Sequence, residues 1–112
     1  MLFELHFIIP GNVKSVVPLT VGKHVIGSLL SNQVVIDSKH SEPIHAMIEV
    51  AENGSCVLMD LGSEKGTKVN GVAIDVEIKL DALDIITIGD VHLNLVKIST
   101  QERTAKAPVS ED

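Results

Sequence analysis

Aromatic side chains are almost missing from this sequence, which has two Phe, no Trp and no Tyr in 112 residues. Binders of single-stranded nucleic acid stack bases on such rings, so the composition argues against that class. Clusters of Lys and Arg are missing too. With a formal charge of −6 the chain would repel a phosphodiester backbone, and an anionic membrane surface is disfavoured for the same reason. A single cysteine, Cys56, leaves no disulfide framework and no thiolate metal cage, and it fits a reducing setting such as the cytoplasm. No apolar run approaches the ~20 residues that a membrane-spanning helix needs. The apolar start is interrupted by Glu4 and His6, stops at Pro10 and has no basic residues ahead of it, so it does not read as a signal peptide.

What the chain does have is aliphatic: 45% of residues are hydrophobic, chiefly Val, Ile and Leu, enough for one domain with one core. Phe3, Leu5, Phe7 and Ile9 alternate with Glu4 and His6, the period of a half-buried strand. Residues 10–12 form a turn. A strand over 15–21 carries Pro18, which suits an edge or a bulge. Gly22-Lys23 turns into a strand over 24–26, and residues 28–32 are a loop. Short strands are expected at 34–36, 46–50, 56–60, 72–74, 77–80, 85–88 and 91–96, with a rigid polar loop over 37–43 and a hairpin loop at 52–55. Residues 99–112 are polar and non-periodic, and read as a disordered linker or the tail of a longer protein. No segment has a helical period, so an all-β sandwich of about 10–11 mostly antiparallel strands is expected over residues 1–98.

The chain is organised around residues 60–71. Gly62 and Gly66 frame a loop that presents Ser63, Glu64 and Lys65, and Asn70-Gly71 is a strong two-residue hairpin signal, because both central residues of a type I′ turn need positive φ.

Placed in order, five pieces resemble a forkhead-associated (FHA) domain across residues 3–98. They are Ile26-Gly27; Asn32 to Asp37; His45-Ala46-Met47-Ile48; Leu58 to Ser63 leading into Gly66-Thr67-Lys68-Val69-Asn70-Gly71; and Ile85 to Gly89. The resemblance implies an eleven-strand sandwich that reads phosphothreonine peptides through loops at one end. It also implies that an Arg after the first Gly and a Ser three residues before the His hold the phosphate. Here those positions are Ser28 and Glu42. The loop pair that usually touches the phosphopeptide is Glu64 and Lys65. The framework positions Gly27, His45, Gly62, Gly66, Thr67, Asn70 and Gly71 match. His45 is implied to hold the 37–43 loop, and Asn70 to tie neighbouring loops together. The scaffold is kept and the clamp is lost.

The loss is large. An Arg–phosphate contact contributes roughly 1.5–3 kcal/mol, and a carboxylate near the dianion repels it by roughly 3 kcal/mol per unit charge before solvent discount. The expected function is therefore a phosphorylation-independent protein–protein interaction module. Its partner is a protein or peptide, neutral or basic rather than phosphorylated, met through Ser28, Ser41, Glu42, Ser63, Glu64 and Lys65. An edge strand such as 15–21 offers a second surface, including for a homodimer. The alternative is a phosphothreonine reader with rearranged loop contacts, using Ser41, Gly22-Lys23 or a displaced group of Lys23, Lys39, Lys65 and His40.

The remaining chemistry is bland. The five His have no ligand spacing for a metal, and Ser41, Asp37 and His45 make a triad in composition only, without a nucleophile elbow. Residues 62–67 lack the Gly-Lys-Ser/Thr ending of a phosphate-binding loop, and Cys56 reads as a buried small hydrophobe. No enzyme activity, cofactor or metal is expected.

Overall fold

The fold comes from a computed structural model, which describes residues 2–8 and 16–98. Eleven strands follow in chain order: β1 (Leu2–Ile8), β2 (Val16–Leu19), β3 (Gly22–Gly27), β4 (Val34–Val35), β5 (Ala46–Val50), β6 (Cys56–Asp60), β7 (Lys68–Val69), β8 (Val72–Ala73), β9 (Glu77–Lys79), β10 (Ile85–Ile88) and β11 (Val91–Ile98). They form a six-stranded sheet, β2-β1-β11-β10-β7-β8, and a five-stranded sheet, β4-β3-β5-β6-β9. Every pairing is antiparallel except β3–β4, which is parallel with Ile26 beside Val34.

Alternation decides what lies between the sheets. Phe3, Leu5, Phe7, Leu93, Leu95, Ile86 and Ile88 come from one inner face, and Ile26, Ala46, Ile48, Val50, Cys56 and Leu58 from the other. Burial raises the Cys56 thiol pKa to about 11, which leaves it protonated and inert at neutral pH. Pro18 lies on an edge strand, β2, where its missing N–H costs least.

The strands at 46–50, 56–60 and 85–88 have the expected bounds. Others differ. β2 is shorter than 15–21, and Gly22-Lys23 is not a turn but the start of β3, pairing with Val50 and Glu49 at a Gly22 φ of 129°. The 10–12 turn, Ile9, Ser15 and the 99–112 tail lie outside the described residues.

Asn70 and Gly71 have φ of 52° and 84°, the pair of positive values that a type I′ turn between β7 and β8 requires. The Asn70 side chain donates to Asp84 Oδ1 at 2.9 Å and accepts from the Ile85 N–H at 3.0 Å. It thus joins its own turn to the 81–84 turn. Among the described residues no helix is long and apolar enough to cross a membrane.

Candidate functional site

The loops at one end of the sandwich are held by Asp60, the last residue of β6. Its carboxylate accepts from the Gly62 N–H (2.8 Å), the Ser63 N–H (2.8 Å), the Ser63 hydroxyl (2.7 Å) and the buried Thr67 hydroxyl (2.8 Å). Partial burial pushes its pKa up, but the bonds from Ser63, Thr67 and Gly62 outweigh that and hold it below the ordinary carboxylate value. Residues 61–67 are thereby folded back onto the end of their own strand. Nothing in the sequence reading singled out Asp60. The signal was there, since Asp followed by a Gly-Ser pair is an Asx-turn pattern.

His45 bridges two loops. One ring nitrogen, Nδ1, accepts from the Glu42 N–H at 3.1 Å, and Nε2 faces the Gly66 carbonyl at 3.0 Å, so Nε2 carries the proton. The ring is wholly buried. Gly27 explains how the 36–45 loop comes so close to β3: a Cβ there would sit inside the Pro43 carbonyl. Ser28 N–H donates to the Glu42 carbonyl (3.0 Å) and Leu29 N–H to that of Pro43 (3.3 Å), so residues 28 and 42 are neighbours.

Glu42 then reaches across to the third loop. Its Oε2 accepts from the Glu64 N–H at 3.2 Å, bringing together two of the positions singled out from sequence. Ser41 is used locally, its hydroxyl donating to the Glu42 carbonyl at 2.9 Å. Ser63 is used likewise, accepting from the Gly66 N–H at 3.0 Å. The Glu64 and Lys65 side chains are exposed. Lys23 stands near the opposite end of β3, paired with Glu49, and is not part of this group.

Beside these loops lies a pocket of about 340 Å³ walled by His40, Lys65, Gly66, Lys68, Thr87, Gly89 and Asp90. Of this set, the sequence marks His40 and Lys65 as candidate contacts and Gly66 as a loop-supporting position. Lys68, Thr87, Gly89 and Asp90 arrive through strand pairing, with Thr87 opposite both Lys68 and His92. The Ser38 hydroxyl donates to Asp90 Oδ1 at 2.7 Å and, with the Asp90 N–H and the positive charge of His40 and Lys39, lowers that carboxyl's pKa. His6 contacts Glu4 (2.9 Å), His24 the Thr20 carbonyl (2.7 Å) and His92 Thr87 (2.9 Å), which accounts for the scattered histidines individually.

Comparison with known proteins agrees with this geometry. The FHA domain family model matches residues 20–89, and the chain belongs to that family. Among solved structures it is similar to the FHA domain of the CT664 protein from Chlamydia trachomatis, with 25% identity and a TM-score of 0.84 over 88% of this chain and 100% of that one. It is also similar to Mycobacterium tuberculosis EmbR, solved in complex with a low-affinity phosphopeptide, with 30% identity and a TM-score of 0.75 over 85% of this chain and 24% of that one. The FHA domain of an Arabidopsis thaliana protein matches with 25% identity and a TM-score of 0.76, over 88% of this chain and 86% of that one. Comparison with curated proteins gives no match. FHA domains are protein-interaction modules, and the fold is a phosphopeptide-binding one.

Proposed function

We propose that this FHA domain binds its protein partner without reading phosphothreonine. The observation that carries this is the Glu42–Glu64 contact at 3.2 Å. A backbone N–H in the loop that family members turn toward phosphopeptide is here given to the chain's own carboxylate. Beside it, Ser28 supplies no guanidinium. A phosphate entering between residues 28, 42 and 64 would meet a fixed like charge and gain no cationic donor from those three residues in return. The partner surface in this reading is the loop end formed by Ser28, Ser41, Glu42, Ser63, Glu64 and Lys65. Gly27, His45, Gly66 and Thr67 hold those loops in place, while Asn70 and Gly71 brace the framework behind them. The cytoplasm is the setting that suits a buried, unpaired Cys56.

The test is a titration of the ¹⁵N-labelled domain with a phosphothreonine peptide library and its unphosphorylated counterpart. Equal, weak responses are expected from the two. Micromolar binding of the phosphorylated set alone, with shifts at residues 28, 42 and 64, would establish the rearranged phosphothreonine reader instead.

A further inference from the structure

The pocket beside the loops has its own chemistry. Of the lysines among the described residues, Lys39, Lys65 and Lys68 gather at this one place, with His40 and His92 close by, in a chain whose formal charge is −6. Among the described residues the only ion pair is Glu4–His6, so Lys65 and Lys68 are exposed cations without a carboxylate partner. The one acid on the wall, Asp90, is already occupied by the Ser38 hydroxyl.

The walls are fixed. Gly89 lies directly on the 36–45 loop: a Cβ there would fall 2.6 Å from His40 Cβ and 2.9 Å from Ser38 Oγ. The His40 N–H is bound to Ser38 Oγ at 3.1 Å, the Gly66 carbonyl to His45, and the Thr87 hydroxyl to His92. Movable ammonium groups therefore stand over an ordered floor. A volume of about 340 Å³ takes one or two side chains, which makes the occupant a segment and not a folded surface.

We propose that this pocket receives carboxylate side chains from an acidic segment of the partner protein. One feature favours a carboxylate over a phosphate: no arginine lines the pocket to grip a phosphate bidentately. The proposal rests on the interaction-module reading but not on the phosphate-free one. It replaces the expected neutral or basic partner segment with one that carries acid at this point. Glu64 is exposed but does not line the pocket, and Glu42 is engaged with the Glu64 N–H.

The test is an NMR titration of the ¹⁵N-labelled domain with a hexaglutamate peptide, a hexalysine peptide and inorganic phosphate, at constant ionic strength. Hexaglutamate is expected to shift the amides of Lys65, Gly66, Lys68, Thr87, Gly89 and Asp90, and hexalysine is not. An exposed pair changes affinity by up to about fivefold. Reversing two of them in Lys65→Glu/Lys68→Glu should therefore weaken hexaglutamate by about 20-fold with the melting temperature retained, and Asp90→Asn should tighten it. The proposal is overturned if those amides do not move or the lysine reversal changes nothing. It is equally overturned if inorganic phosphate binds there as tightly as hexaglutamate. A phosphothreonine peptide that shifted residues 28, 42 and 64 would sink the phosphate-free reading alone.

Discussion

On the proposed reading, installing an Arg at 28 and a Ser at 42 should create phosphothreonine binding. Ser28 and Glu42 are joined through backbone, Ser28 N–H to Glu42 carbonyl at 3.0 Å, so an Arg at 28 and a Ser at 42 would emerge side by side. The Arg contributes roughly 1.5–3 kcal/mol with a phosphate. Removing the Glu42 carboxylate relieves a repulsion that, for a half-buried group facing water, is discounted to about 1 kcal/mol. It also frees the Glu64 N–H, worth roughly 0.5–1.5 kcal/mol as a ligand donor. The sum is roughly 3–5 kcal/mol, and because the same reading leaves Glu64 and Lys65 in place of the usual contact pair the lower end applies. Ser28→Arg/Glu42→Ser should then gain about 100-fold in affinity for a phosphothreonine peptide, with Ser28→Arg alone gaining about half of that in free energy. Fluorescence polarisation against the phosphorylated and plain peptides measures it. A double variant that melts like the parent and still ignores phosphate would refute the placement of the clamp at 28 and 42.

Three further outcomes follow from the loop geometry. Asp60→Ala strands the buried Thr67 hydroxyl and two N–H groups, and should cost about 2–4 kcal/mol, a fall of at least about 10 °C in Tm, whereas Asp60→Asn keeps most of the acceptor set and should cost about 1 kcal/mol. Because the Asp60 pKa is lowered in the fold, its stabilisation is present above the unfolded value and is lost as pH falls through the folded one. The gap between wild type and Asp60→Asn should therefore close below about pH 4, as acid melts would show. Gly27→Ala places a Cβ in the Pro43 carbonyl and should be severe, about 3 kcal/mol or more by denaturant titration; Gly71→Ala meets no atom within contact and pays only for its positive φ, about 1–2 kcal/mol. Leu83, held at φ 74° with its side chain 70% exposed, should be improved by Leu83→Asn, by roughly 0.5–1 kcal/mol in the same assay.

Much of this was legible in the residues, and the limits were physical. Strand 46–50 announced itself because buried and half-buried positions alternate along it without interruption, and 56–60 as the short apolar return of the hairpin whose loop is 52–55. Gly22-Lys23 misled as a turn because a glycine with φ of 129° can equally begin a ladder when a partner, here Val50, lies opposite. Asn70-Gly71 was readable because its signal is local: two positive φ values in neighbouring residues. The pocket was not. Lys65 and Lys68 are distant in sequence from Thr87 and Asp90, and only the pairing of β10 with β7 and β11 puts the two pairs on one wall. Composition does not show it either, since a net charge of −6 conceals a local group of lysines.

The division between framework positions and loop positions has a physical basis. Gly27 permits a close approach, His45, Thr67 and Asn70 bond neighbouring groups or fill a buried position, and Gly66 holds a φ of 84°, so replacing any of them would destabilise the fold with or without a ligand. Positions 28, 64 and 65 carry no such duty through their side chains, and a residue there is constrained only by what the loops must bind. Glu42 lies between the two groups: its side chain is at the proposed binding end, yet it bonds the Glu64 N–H and thereby links two loops. Removing that carboxylate without a ligand to replace it should loosen residues 61–67 relative to 36–45. Amide exchange at Glu64 separates the alternatives. Faster exchange in Glu42→Ala means the carboxylate has become part of the scaffold; unchanged exchange means it only stands in the ligand's place.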